Sequence, residues 1–141
     1  MALEVFTEEW AAACCARIDG HAGFREAGAE WADAVVLVML ADPARGVAQD
    51  RAFHLDLHRG RCRGARPATA ADLETTPYVL TASPSAWEQI LGGSLEPVAA
   101  LMTGRLRLAR GGLFALAKHA GAARELVRAA GEVPAVFPGA A

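Results

Sequence analysis

The chain has 141 residues, 53% of them apolar and 21% charged, a size and composition that allow one domain with a real core and exclude disorder as a description of the whole. Its 14 basic and 16 acidic residues leave a net charge of -2, which excludes a global field directed at nucleic acid or an anionic surface. The longest strongly apolar stretch, Ala34 to Ala41, is far too short to cross a bilayer, and Glu4, Glu8 and Glu9 stand where a signal peptide needs a basic start and an apolar run.

Thr7 followed by Glu8 and Glu9 reads as a helix cap with acidic side chains in the first turn, where they meet the positive end of the helix dipole. Trp10, Cys14 and Ile18 recur at helical spacing until Gly20 offers a stop, and residues 21–30 read as irregular or partly helical. Trp31 to Ala41 holds the β-branched run of a strand buried on both faces, closed by Asp42, Pro43 and Gly46. Phe53, Leu55 and Leu57 alternate with His54, Asp56 and His58, the period-two pattern of a strand with one wet face. Arg59-Gly60 makes a hairpin tip leading into a basic strand at 61–66, and Pro67 to Pro77 is a loop with one helical turn at Ala70 to Leu73. Tyr78 to Ala82 is the next strand.

Ser83-Pro84 starts a helix carrying Trp87, Ile90 and Leu91, and Gly92-Gly93 ends it. Ser94 is expected to cap a second short helix with Val98, Leu101 and Met102, closed by Gly104. Arg105 to Arg110 alternates as a strand, with Leu106 and Leu108 on one side. A single last helix is expected from Leu113 to about Ala130, its Leu113, Leu116, Ala117, Ala120, Val127 and Ala130 in one stripe and Lys118, Glu125 and Arg128 facing water. Strands joined by short connections, with helices at both ends, give an α+β class and one domain over 1–141, with a helical region at 1–30 and an extended tail at 131–141 held from helix by Pro134 and Pro138.

From about Trp31 to His119 this order of elements resembles the sterol carrier protein 2 (SCP-2) domain family, in its stand-alone bacterial form. The stretch from Leu101 to Lys118 is similar to the family's apolar-Met-x-Gly-basic-Leu-basic-apolar segment, which runs through glycine into an apolar helix start and lysine. Leu80-Thr81-Ala82-Ser83, Trp87 and the Gly92-Gly93 break before Leu95-Glu96-Pro97 fit the family's strand and two helices. Thr103 stands where the commoner pattern has an amide, arginines replace lysines at 105 and 107, and the peroxisomal tripeptide of eukaryotic members is replaced by Gly139-Ala140-Ala141. The resemblance implies a five-stranded, largely antiparallel sheet covered by helices, with an apolar tunnel that accepts fatty acids, acyl-CoA or sterols.

The short amphipathic helices supply the first candidates for tunnel lining: Trp87, Ile90, Leu91, Val98, Leu101 and Met102. Leu106, Leu108, Leu113, Leu116 and Ala117 extend the set under the same resemblance. Each of these residues also suits plain packing on the sheet, so a scaffold whose tunnel is filled by its own side chains is the second reading. A third is a metal enzyme built on His54, Asp56 and His58, which share one strand face. Arg59, Arg61, Arg63 and Arg66 form a basic patch that could meet a phosphate group. Three cysteines, two of them adjacent, argue against a disulfide framework and for a reducing cytoplasm; Cys14 and Cys15 read as small packing residues and Cys62 as the more exposed thiol. No nucleophile, acid-base pair or phosphate loop emerges, so the expectation is a cofactor-free carrier of apolar ligands, monomeric or homodimeric, with at most transient membrane contact.

Overall fold

Val35–Met39 forms β2, the middle strand of the sheet, and its run of apolar residues is explained by burial on both faces. The computed structural model describes residues 2–139; Ala140 and Ala141, the last residues of the tail expected at 131–141, lie outside them. β2 pairs antiparallel with β3 (Arg51–His58), and β3 pairs with β4 (Arg61–Pro67) across the expected hairpin. On its other side β2 runs parallel to β5 (Tyr78–Ala82), which pairs antiparallel with the edge strand β6 (Leu106–Arg110). The order β4-β3-β2-β5-β6 is therefore antiparallel at every step but one, and the class is α+β as expected.

Strand periodicity decides which residues face the helices. Phe53, Leu55 and Leu57 of β3 point inward beside Val35 and Leu37 of β2, while His54, Asp56 and His58 point out. On the outward face Val36, Val38 and Val79 make a small second cluster with Ala52 and Ala68 against it. The β3–β4 turn places both Arg59 (φ 49°) and Gly60 (φ 83°) in the left-handed region, the geometry that matches strand twist in two-residue hairpins. Gly60 also lies against the Arg25 carbonyl, which a Cβ would strike.

The inner face is covered by α1 (Glu8–Asp19), α2 (Ala22–Ala27), α4 (Pro84–Leu91), α5 (Pro97–Met102), α6 (Leu113–Ala117) and α7 (Ala120–Gly131). Thr7 and Ser83 cap α1 and α4 as their positions promise, each accepting a backbone N–H three residues on. In the 67–77 loop, α3 (Ala70–Thr75) is longer than the single turn expected, because Thr69 and Asp72 form a reciprocal capping box.

Four expectations are corrected. Ser94 does not cap α5; Glu96 does, its carboxylate accepting from the Ala99 N–H, and Pro97 takes the first helical position. The last helix is two: the chain leaves helical geometry at His119 (φ -110°, ψ 30°), whose imidazole packs edge-on against Trp31 at 5.0 Å. Glu125 is half-buried, not solvated, accepting from or pairing with His21 at 2.9 Å and Arg128 at 2.9 Å. The fourth correction is the cysteines. Cys15 and Cys62 are joined as a disulfide across 47 residues, tying α1 to β4, and Cys62 is buried.

The tail is extended, as its prolines require, and it is also paired. Ala135–Val136 (β7) lies parallel to Leu3–Glu4 (β1), and the Pro138 carbonyl accepts a hydrogen bond from Arg45 at 2.7 Å. This brings Val5 and Phe6 into the core, where Phe6 stacks on Trp10 at 4.8 Å.

Two surface carboxylates give the fold an acid limit. Asp19 is held below the ordinary aspartate range by its two-pronged bond with Arg61 (2.6 and 3.1 Å), and the Cys62 N–H adds to it. Asp72 is lowered further by Arg66 and by the Thr69 N–H. Both carboxyls titrate lower folded than unfolded, so their contribution is whole above the unfolded value near 3.9 and is lost as pH falls toward the folded values. Thermal melts between pH 7 and pH 2 are expected to hold level to about pH 4 and then decline. The decline should be shallower in Asp19→Asn, which removes one of the two titrating groups.

Candidate functional site

Between the inner face of the sheet and its helices lies a cavity of about 350 Å³, within the range of small-molecule pockets, with a lining that is almost wholly apolar. Its floor is the inward half of the sheet: Val35 and Leu37 of β2, Phe53, Leu55 and Leu57 of β3, and Leu80 of β5. α1 contributes Trp10, Cys14 and Ile18, one per turn on a single face, and α7 contributes Leu126, Val127 and Ala130. Trp87 and Ile90 of α4, both buried, hold one wall, with the Trp87 indole N–H fixed by the Val38 carbonyl at 2.9 Å. Trp31 packs on Tyr78 at 4.8 Å and on His119, holding the junction of α6 and α7 against the sheet.

Of the residues singled out from sequence, Trp87, Ile90 and Leu91 reach the cavity from α4, and Val98, Leu101 and Met102 from α5. Leu106 reaches it from β6, and Leu113, Leu116 and Ala117 from α6. Leu108 does not; it packs on the core beside the lining. The cavity opens where lining residues are exposed, at Met102, Leu113, Phe114 and Ala117. Sequence reasoning left out the α1 face and the inward residues of β3, although their periodicity was plain. A stripe that lines a void and a stripe that fills one have the same spacing.

Two side chains in the lining carry acid-base or nucleophilic chemistry, Cys14 and His119, and the His119 ring is packed edge-on against Trp31. Cys14 is its one thiol, and burial pushes it up to about 12, so at neutral pH it is protonated and a poor nucleophile. Among the described residues no three His, Cys, Asp or Glu side chains come together as a metal site. His54, Asp56 and His58 do share the outward face of β3, but Asp56 is engaged by Arg63 at 3.1 Å. The basic patch of the hairpin is likewise spoken for: Arg61, Arg63 and Arg66 pair with Asp19, Asp56 and Asp72.

No family model matches the chain, and no curated protein matches it. Solved structures do. A crystal structure of sterol carrier protein 2 superposes with a TM-score of 0.84 at 39% identity, over 92% of this chain and 99% of that one. The solution structure of a protein from Thermus thermophilus, possibly a sterol carrier protein, gives 0.84 at 37% identity over 99% and 96%. Sterol carrier protein 2 from Yarrowia lipolytica in its apo form, at 17% identity and a TM-score of 0.59, shares the fold. Identity approaching two residues in five, sustained along nearly the full length of both chains, means that this chain belongs to the sterol carrier protein 2 family.

Proposed function

We propose that the protein is a non-catalytic carrier that takes a long-chain apolar ligand, such as a fatty acid, an acyl-CoA or a sterol-like molecule, into the cavity between its sheet and helices. The observation that carries this reading is the open apolar chamber itself, since a scaffold with a filled interior has no need of one. Each buried methylene contributes about 0.8 kcal/mol, so a chain of about fourteen methylenes supplies on the order of 11 kcal/mol before association costs. Those costs begin at roughly 4 kcal/mol, which leaves binding in the micromolar range without any catalytic or charged group. The same reading has one domain spanning the chain, acting in the cytoplasm as a monomer or homodimer, without cofactor or nucleic acid.

The experiment is uptake of a fluorescent long-chain fatty acid by delipidated protein, paired with native mass spectrometry and organic extraction of protein as purified. Saturable uptake at micromolar concentration is expected. Protein that carries nothing and ignores the probe overturns the proposal. Ala117→Trp provides the internal check: position 117 is exposed at the mouth, so the bulky ring should weaken or slow uptake tenfold or more while stability moves by less than about 0.5 kcal/mol.

A further inference from the structure

The chain has three tryptophans, and two of them have satisfied indole N–H groups. Trp31 donates to the Asp33 carbonyl at 2.7 Å, and Trp87 to that of Val38 at 2.9 Å. Trp10 is the exception. It is 3% exposed and stacked on Phe6, and its Nε1–H is buried with no acceptor among the described residues. An indole N–H can only donate, and a buried donor left unpaired costs stability, a penalty that most buried polar groups avoid.

The place of this ring gives the penalty a use. Trp10, Leu91 and Ala130 border the main chamber and also a second cavity of about 200 Å³, which is completed by Gly92, Gly131 and the tail residues Val133 and Phe137. The C-terminal ends of α4 and α7 meet there. A Cβ at Gly131 would strike the Leu91 carbonyl oxygen, so glycine is what lets the two ends approach so closely. That carbonyl closes α4 and accepts no hydrogen bond among the described residues, because the Ser94 and Leu95 N–H groups both donate to Gln89 instead. Residues carrying an unpaired donor and an unpaired acceptor therefore border one small space.

Electrostatics selects the group that can use both. Helix C-termini carry partial negative charge, and no lysine or arginine lines either cavity. His119, the one basic side chain of the main lining, stands at the far end of α7, about 16 Å from Ala130 along the helix axis. A carboxylate brought beside Leu91 would be desolvated, without a cation, and facing two helix ends of its own sign. A hydroxyl is neutral, accepts from one partner and donates to the other.

We propose that the space beneath the tail is a polar subsite for the hydroxyl group of a neutral, hydroxyl-ended lipid, held between the Trp10 Nε1–H and the Leu91 carbonyl. The apolar body of the ligand then lies in the main chamber along α7, toward the exposed lining at α6. β7, paired to β1, keeps the tail in place as the roof of this subsite. The inference rests on the carrier reading and narrows its ligand class, ranking a long-chain alcohol above the carboxylate of the same length.

The test is displacement of a bound fluorescent fatty acid by 1-dodecanol and by dodecanoate at about pH 8, in the full chain and in Trp10→Phe. Phenylalanine keeps an aromatic ring against Phe6 and removes the N–H. In the original chain dodecanol is expected to displace the probe at roughly one-tenth of the concentration that dodecanoate requires. Trp10→Phe should raise the dodecanol requirement about fivefold to tenfold, the range of one lost hydrogen bond to a buried group, and leave that of dodecanoate unchanged. The Trp10 indole N–H resonance of the isotope-labelled original chain needs no variant: it should move downfield with dodecanol and do so more than with dodecane. Dodecanoate as effective as dodecanol, or an indole resonance indifferent to the hydroxyl, overturns the subsite and leaves the carrier reading standing. So does an equal loss of both ligands in Trp10→Phe, which would make the ring a packing residue of the chamber. A chain that takes up no fluorescent probe and shows no indole response removes the carrier reading, and the subsite with it.

Discussion

Trp87→Ala is expected to destabilise the protein by about 4 kcal/mol, read as a fall of roughly 10–15 °C in melting temperature. The side chain is buried on α4, tilts against Phe6 at 5.3 Å and donates its indole N–H to the carbonyl of Val38 on the central strand. Truncation therefore removes a large aromatic contact and leaves a buried carbonyl without its partner, two costs that act in the same direction. The residue also faces the cavity, so the space it vacates joins a void already present. That places the expected loss within the ordinary range for an aromatic deletion rather than at its extreme. Trp87→Phe isolates the hydrogen bond and should cost about 1–2 kcal/mol. Denaturant titration of the three proteins checks both figures, and a Trp87→Ala variant as stable as the original chain would show that α4 is not anchored through this indole.

How much of this was readable beforehand follows from the range over which each signal acts. The central strand was legible because a run such as Val35–Met39 has few other uses, and β3 because Phe53, Leu55 and Leu57 alternate strictly with polar residues. The start of α4 was legible because Ser83-Pro84 states both the cap and the first turn locally. Ser94 misled for a related reason. A hydroxyl and a following carboxylate both suit a cap, and only the position of Pro97 in the first turn favours Glu96. The break between α6 and α7 left no mark on the apolar stripe, because one residue out of helical geometry at His119 is compensated by Trp31, nearly ninety positions away in the chain.

The same distinction governs the site. Ten of the eleven residues singled out do face the cavity, since apolar stripes on short helices around a sheet have nowhere else to point. What sequence could not show was that the space between them is empty. Nor could it show that Arg61 would find Asp19 and that Arg66 would find Asp72, neutralising the conspicuous basic run. Pairing across a fold is a property of distance in space. The two-residue strands β1 and β7 are the limiting case, too short for any periodicity, and formed only because the tail returns to Leu3 and Glu4.

Reduction of the Cys15–Cys62 bond is expected to be the other large effect, on the order of 2–4 kcal/mol. The bond closes 47 residues of sequence, for which the loss of unfolded-chain freedom lies toward the upper end of that range, and its two Cα atoms are 5.5 Å apart. It fastens α1, one wall of the cavity, to the strand whose hairpin Asp19 also grips through Arg61 and the Cys62 N–H. Cys15→Ala, Cys62→Ala and the double variant should therefore be nearly equal in stability, since either single change removes the whole constraint. Cys14 is no competitor for exchange despite standing next to Cys15. Its thiol, pushed up to about 12 by burial, supplies almost no thiolate at neutral pH. Alkylation gives the readout: no label on the native oxidised protein, one label after denaturation, and three after denaturation with reductant. Trapping at the moment of cell lysis then decides where the constraint operates. One label on denatured protein means that the bond is in force in the cell, while three mean a cytoplasmic pair of thiols and a chain that works with α1 held to β4 by packing and by Asp19 alone.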